Sequence, residues 1–213
     1  YFKSKKQLVT SFLVIVFLLW ELTVLSLIIV KSPQKLLESL HISFSSYETG
    51  GYELSVQENT LLLDGKFSYG ISKDFEQVLD ENPQVKTITF FSQGGYDHEA
   101  RKISLIIKER ELNTYVPEYC VSACVTAFIG GQKRQMSSKA LLGFHQGKDA
   151  LNNNKFSEEE AKDKLYDTIK FYKQNGIDKD FVKRFYRIPV EEMWYPRDAE
   201  LLKQGIVTEV IDE

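Results

Sequence analysis

The chain begins with one long apolar stretch and then changes to short alternations of apolar and polar residues. Residues 8–30 contain a single charged residue, Glu21. As a helix rising 1.5 Å per residue, this stretch would extend about 35 Å, enough to cross a hydrocarbon layer about 30 Å thick. A cleaved signal peptide usually has an apolar region of only about 7–15 residues that ends in a small-residue cleavage site. We therefore predict an uncleaved transmembrane anchor.

Charges on either side of this stretch predict its orientation. Three lysines precede it within residues 1–7, whereas only Lys31 and Lys35 follow closely. The positive-inside rule then places the short N-terminal tail in the cytoplasm. Residues 31–50 contain a proline, a serine cluster and a glycine, which favours a linker. We expect a single-pass protein of a bacterial inner membrane, whose folded domain, residues 51–213, is extracytoplasmic.

From residue 52 onwards, apolar runs of strand character alternate with segments of helical periodicity. The predicted strands are residues 61–63, 85–91, 112–119, 140–145 and 206–211. Helices are predicted between them, and Ser157 with Glu160 forms a capping box for a long one that ends near Asn175 and Gly176. Alternating strands and helices predict an α/β layer fold with mostly parallel strands.

Composition narrows the class of protein. The 213 residues allow one globular domain of moderate size besides the anchor. A hydrophobic share of 43% and a charged share of 27% are typical of a chain with a packed core. The net charge of −3 lacks the basic excess that a phosphate backbone requires, so we expect no nucleic-acid partner. Two cysteines are too few for a disulfide framework.

Three features that can carry chemistry follow predicted strands, at the edge where open α/β folds bind ligands. Gly94 and Gly95 can bring backbone N–H groups to a developing negative charge. Ser122 stands between a strand and a helix, a position that exposes a hydroxyl. His145 ends a strand and can take a proton from such a serine. Each alone is compatible with a turn, a helix cap or a structural histidine, and only the combination favours a hydrolase.

The order of these residues resembles a known family. Residues 92–95 (Ser-Gln-Gly-Gly), then Ser122, then residues 144–146 (Phe-His-Gln), are similar to the Clp protease proteolytic-subunit family and its crotonase-type fold. The sequence Glu-Asn-Pro at residues 81–83 and the segment 199–211 resemble the framework of the same family. The resemblance therefore covers about residues 60–212.

The resemblance implies a serine endopeptidase that acts on peptide or protein substrates and forms homo-oligomers. It assigns Ser122 as the nucleophile and His145 as the general base, with the N–H groups of Gly95 and Ala123 as the oxyanion hole. It implies neither a cofactor nor a metal. Because an outward-facing domain has no access to ATP, we expect the activity to be ATP-independent.

Two positions depart from the family pattern. Gln93 replaces a proline, which affects the stiffness of the loop more than its donors. The family's triad aspartate falls at Met193, which cannot orient an imidazole. Three alternatives remain: Glu192 supplies the carboxylate, a Ser-His pair works without an acid, or the chain is an inactive ClpP/crotonase-like scaffold or interaction module at the membrane.

Cys120 and Cys124 flank Ser122. In an oxidising compartment they can form a disulfide that pins the turn, provided that their Cβ atoms lie within about 4.5 Å. Two buried free thiols, a metal site with His145 and a cysteine nucleophile are the alternatives. No further Cys or His shows metal-ligand spacing, so we do not expect a metal.

Overall fold

The computed structural model describes residues 51–147 and 157–212. The predicted tail, anchor and linker, residues 1–7, 8–30 and 31–50, lie outside the described residues and stay predictions. Within the described part, no helix combines the length and the apolar character that crossing a bilayer would take.

The described residues form eight strands and six helices. The strands are β1 (Tyr52–Gln57), β2 (Thr60–Gly65), β3 (Thr87–Phe91), β4 (Asn113–Val116), β5 (Tyr119–Val121), β6 (Arg134–Ser137), β7 (Leu141–Gly143) and β8 (Glu209–Ile211). The helices are α1 (Ile71–Glu81), α2 (Asp97–Glu109), α3 (Ala123–Phe128), α4 (Glu158–Gln174), α5 (Lys179–Phe185) and α6 (Asp198–Lys203).

Six strands form the main sheet in the order β1-β2-β3-β4-β6-β8. Only β1 and β2 pair antiparallel, and every other neighbouring pair is parallel. Alternate residues of β2 and β3, such as Leu63 and Phe90, are fully buried in one core with Phe75 of α1 and Ile103 of α2. Parallel strands need crossover helices, and these helices bury one face of the sheet. The prediction of an α/β fold with mostly parallel strands is confirmed.

A second, two-stranded sheet joins β5 and β7 in parallel. The prediction of one continuous strand over residues 112–119 is wrong, because the chain leaves the main sheet after Val116 and starts β5 at Tyr119. Pro117 stands at this break, and a proline has no N–H to donate to a sheet ladder. The predicted strand 140–145 is shorter, Leu141–Gly143, and pairs with β5 rather than with the main sheet.

Other boundaries follow local chemistry. The Ser157 capping box is confirmed: Ser157 Oγ accepts from the N–H of Glu160 at 3.3 Å, and Glu160 Oε2 accepts from the N–H of Ser157 at 2.9 Å. The predicted closing strand 206–211 is shorter and begins at Glu209, whereas Ile206 and Val207 are buried in the core ahead of it.

Candidate active site

Ser122 occupies a sharp turn between β5 and α3. Its φ of 57° and ψ of −126° lie in a region that residues with a Cβ rarely adopt. The N–H of Ser122 donates to the carbonyl of Gly143 at 2.8 Å, which ties the turn to the end of β7. The side chain is half-buried and therefore reachable. This strand-turn-helix geometry is typical of a nucleophile elbow.

His145 lies beside Ser122 because β5 and β7 run parallel. Val121 pairs with Gly143, so both strands end at the same edge of the small sheet. Ser122 Oγ lies 2.7 Å from His145 Nε2, within hydrogen-bond distance. Two residues that are 23 positions apart in sequence thus have the spacing that proton transfer requires.

The glycine turn packs against the Ser122 turn. Gly94 has a φ of 96°, and a Cβ placed on it would lie 2.8 Å from the carbonyl oxygen of Val121 and 3.1 Å from the nitrogen of Ala123. Only glycine allows this approach. In the described part of the chain, neither the N–H of Gly95 nor that of Ala123 donates to a backbone acceptor. These are the two N–H groups predicted to form an oxyanion hole.

Ser92 fixes the shape of the glycine turn, a role that the sequence analysis did not assign. Its fully buried hydroxyl accepts from the N–H of Gly94 at 3.0 Å. Its backbone forms a parallel bridge with Cys120, which joins the end of β3 in the main sheet to β5 in the small sheet. The candidate site lies at this junction of the two sheets.

Cys120 and Cys124 are joined by a disulfide, with their Cα atoms 5.3 Å apart. Both residues are fully buried. The bond links β5 to the second residue of α3 and so encloses Ser122. Among the described residues, no group of three or more His, Cys, Asp or Glu side chains has an arrangement suited to a metal ion.

Two kinds of protease are among the solved structures with the same architecture. ClpP1 from Listeria monocytogenes has a TM-score of 0.60 at 18% identity, with 73% of this chain and 92% of that chain covered. A serine-to-alanine mutant of the 1510-N membrane-bound stomatin-specific protease has a TM-score of 0.53 at 13% identity, with 73% and 81% covered. The domain has the ClpP/crotonase-like fold. A second 1510-N mutant, in complex with a substrate peptide, has a TM-score of 0.55 at 14% identity, covering 70% of this chain and 73% of that chain.

No family model and no curated protein matches the sequence. At these identities the likeness to ClpP1 and 1510-N is one of fold. The expectation of a ClpP/crotonase-like fold is confirmed, whereas the roles of individual residues stay predictions.

The backbone shows which residue stands opposite His145, the place where the sequence departs from the ClpP family pattern. Phe144 and Trp194 form an antiparallel bridge, with N–H to carbonyl distances of 2.9 Å in both directions. This register sets Met193 opposite His145, and the Met193 side chain lies beside Gly143. Glu192, the neighbouring carboxylate, is exposed.

An aromatic cluster supports the segment around Met193. The ring of Phe144 contacts Phe181 and Phe185 of α5 and also Trp194, with centroids 5.1 to 6.0 Å apart. The Arg184 guanidinium stacks over the Trp194 ring at 4.2 Å from its centroid. The cluster fixes Phe144 and Trp194, the pair that lies next to His145 and Met193. Regular spacing of the aromatic residues along α5 is the sequence signal for this packing.

A polar network connects the helices that follow the two turns. The hydroxyl of Thr126 in α3 donates to the carboxylate of Asp97 in α2 at 3.0 Å and lies 3.4 Å from the hydroxyl of Tyr172 in α4. Burial raises the pKa of the Tyr172 hydroxyl well above its ordinary value, so it stays neutral. The Asp97 to Thr126 bond links the start of α2, which follows Gly95, to the helix that begins after Ser122.

Proposed function

We propose that this chain is a serine peptidase built on the ClpP/crotonase-like fold. The single observation that carries the proposal is the 2.7 Å separation of Ser122 Oγ and His145 Nε2, at a turn whose backbone exposes the serine hydroxyl. A free serine hydroxyl is a weak nucleophile, and a base at this distance activates it. The ClpP1 and 1510-N structures support a protease because proteases of this fold exist.

The proposed reaction starts from a neutral His145 whose Nε2 accepts the Ser122 proton. Ser122 Oγ attacks the peptide carbonyl, and the oxyanion that forms accepts hydrogen bonds from the N–H groups of Gly95 and Ala123. His145 then gives its proton to the amine that leaves, which produces an acyl-enzyme on Ser122. Water, deprotonated by the same imidazole, attacks the ester and restores the free serine.

Peptide or protein is the substrate class that this proposal implies, and the 1510-N structure with a substrate peptide supports it by analogy. We propose that residues 8–30 anchor the chain in a bacterial inner membrane and that the domain works outside the cytoplasm without ATP. We also propose that it assembles as a homo-oligomer.

Two mechanisms remain open for orienting the imidazole of His145. Either Glu192 reaches the site when substrate binds, or Ser122 and His145 act as a pair. Glu192→Gln separates them. A fall of about 10²–10⁴ in the rate at which the serine reacts would assign the orienting role to Glu192, by analogy with the loss of a triad carboxylate. An unchanged rate would favour the pair.

Covalent labelling of the full chain in detergent by a fluorophosphonate tests the proposal. We expect an adduct on Ser122 and its loss in both Ser122→Ala and His145→Ala, because each removes one participant in the same step. Ser138→Ala and His98→Ala are matched controls at an exposed serine and an exposed histidine, and they should label like the wild type.

The second candidate function is a membrane-tethered scaffold or interaction module without catalysis. The thioether of Met193 opposite His145 is the observation that favours it, because no carboxylate occupies that place. A folded wild-type chain that forms no Ser122 adduct on prolonged exposure, in several detergents and oligomeric states, would refute the peptidase and leave the scaffold.

A further inference from the structure

The disulfide encloses the proposed nucleophile. Cys120 is the middle residue of β5, and Cys124 is the second residue of α3, so the bond bridges the strand and the helix on either side of Ser122. Both cysteines have no solvent exposure. Ser122 between them remains half-buried and reachable. The covalent link therefore lies behind the turn and not in the path of a substrate.

The turn needs such a restraint. A residue with a Cβ persists at a φ of 57° and ψ of −126° only where its surroundings hold it there. Two backbone hydrogen bonds hold the chain where it enters the turn. The N–H of Val121 donates to the carbonyl of Ser92 at 3.0 Å, and the N–H of Ser122 donates to the carbonyl of Gly143 at 2.8 Å. On the other side, α3 has only six residues and no side-chain cap bond at its N-terminus. The disulfide adds a covalent tie between α3 and β5.

We propose that Cys120 and Cys124 are positioning residues, whose disulfide sets the geometry of Ser122 and thereby makes the site competent. This inference rests on the proposed function. In the step that forms the bond, the two thiols lose two protons and two electrons to a disulfide reagent, which leaves as two thiols. A disulfide that closes so short a loop restricts the unfolded chain less than one that closes a long loop. Its effect therefore falls mainly on the local geometry of the turn.

The burial of both cysteines limits the stage of folding at which the disulfide can form. Because neither cysteine is exposed, an oxidant must reach them before the core closes. The folded chain then resists reduction until it unfolds. The chain thus acquires a competent Ser122 only by folding in an oxidising compartment.

The test compares the chain with and without the Cys120–Cys124 disulfide, first in the wild-type sequence and then in variants. One sample is the oxidised full chain in detergent, and the other is the same chain unfolded, reduced and refolded in reductant. The variants are Cys120→Ser, Cys124→Ser and the double variant. The first readout is amide hydrogen exchange, which we expect to become about tenfold faster in residues 119–126 and to stay unchanged in β2 and β3.

The second readout is the rate of fluorophosphonate labelling, at a temperature where every form is fully folded. A displacement of about 1 Å can cost about 10²-fold in rate, and we expect a loss of that order in the reduced chain and in all three variants. The single and double variants should match, because each lacks the same bond. Oxidised glutathione added during refolding should restore the wild type and none of the variants.

Equal exchange and labelling in the oxidised and reduced chains would overturn the proposal. Faster exchange throughout the domain would also overturn it, since the bond would then stabilise the whole fold and not the turn. If the oxidised wild type forms no adduct, the peptidase proposal fails. The exchange of residues 119–126 then decides alone whether the disulfide positions Ser122.

Discussion

At the scale of single residues, the side chain opposite the proposed base His145 is a thioether and not a carboxylate. Met193 occupies this place, and a thioether cannot accept a strong hydrogen bond from an imidazole N–H. The Nδ1 atom of His145 is shielded from solvent. A carboxylate at residue 193 would stand at the position opposite His145 and could attract a protonated imidazole.

We predict that Met193→Asp raises the rate of fluorophosphonate labelling of Ser122 by about tenfold or more, because loss of an orienting aspartate costs a serine protease about 10⁴-fold. Met193→Asn is the matched control: it has the same shape without the charge and should give no gain. Melting temperatures establish that both variants are folded. Equal rates for the two would contradict the assignment of residue 193 to the acid position.

Substitution of Gly94 tests whether the glycine turn controls the position of Ser122. A side chain there would strain the backbone and overlap with the Ser122 turn. Its φ is 96°, and a Cβ would lie 2.8 Å from the Val121 carbonyl oxygen and 2.9 Å from the Ser122 Cβ. We predict that Gly94→Ala displaces the Ser122 turn and slows labelling by about 10²-fold.

Gly176→Ala is the control for this prediction. Gly176 also has a positive φ, 81°, but a Cβ there meets nothing within 4 Å. It should cost about 1 kcal/mol in unfolding free energy through its backbone alone and leave labelling unchanged. Similar labelling by the two variants would show that the glycine turn does not control Ser122.

At the scale of elements, a carboxylate from one helix caps another. Helix α1 starts at Ile71 after Gly70 and has no side-chain cap from its own segment. Instead, the buried carboxylate of Glu99 in α2 accepts from the N–H of Ser72 at 3.0 Å and from Lys102 at 3.1 Å. Burial by itself would raise the pKa of Glu99, but the hydrogen bonds from Ser72 and Lys102 and the charge of Lys102 outweigh it, so the pKa is lowered.

This lowered pKa predicts how stability depends on pH. The carboxylate of Glu99 contributes stability above the ordinary value of 4.5, and this contribution is lost as the pH falls through the lower pKa of the folded chain. Glu99→Gln should therefore reduce the free energy of unfolding by about 1–2 kcal/mol at pH 7. Urea unfolding at a series of pH values should show this difference shrinking as the pH falls below the ordinary value of 4.5 and through the lower pKa of the folded chain. A difference that stays constant with pH would contradict the prediction.

Elements also show what the sequence can and cannot predict. The strand before Gly94 and the helix after Ser157 are predictable because their signals are local: a run of β-branched and aromatic residues, and a capping box. β6 was missed, since only Met136 and Ser137 among its four residues are buried and its place between β4 and β8 depends on distant pairing.

The candidate site likewise has features that the sequence predicts and features that it does not. Motif spacing predicts that Ser122, His145 and the glycine turn belong together, and the fold brings Ser122 and His145 to 2.7 Å. The change of sheet at Pro117 creates that proximity. The proline is a local signal that a strand ends, but nothing local indicates that the next strand joins a second sheet. The role of Ser92 and the Asp97 to Thr126 bond were missed because they depend on contacts between separate elements.

At the scale of the whole molecule, two independent features favour a domain outside the cytoplasm. The apolar stretch at residues 8–30 is preceded by three lysines, which predicts a cytoplasmic N-terminus. The disulfide between Cys120 and Cys124 lies within the domain, and stable disulfides belong mainly to oxidising compartments. Membrane insertion and thiol chemistry have no physical connection, and both lead to the same predicted topology.

We predict that the anchor stays attached and that the domain faces outward. Protease added to intact spheroplasts should digest residues 51–213, because no membrane would separate them from the enzyme, while a cytoplasmic marker protein in the same sample stays intact. The membrane fraction should retain a fragment that contains residues 8–30, whereas a cleaved signal peptide would leave the whole domain soluble. Protection of the domain in intact spheroplasts, with digestion only after lysis, would reverse the topology. It would also remove the compartment in which the disulfide is expected to form.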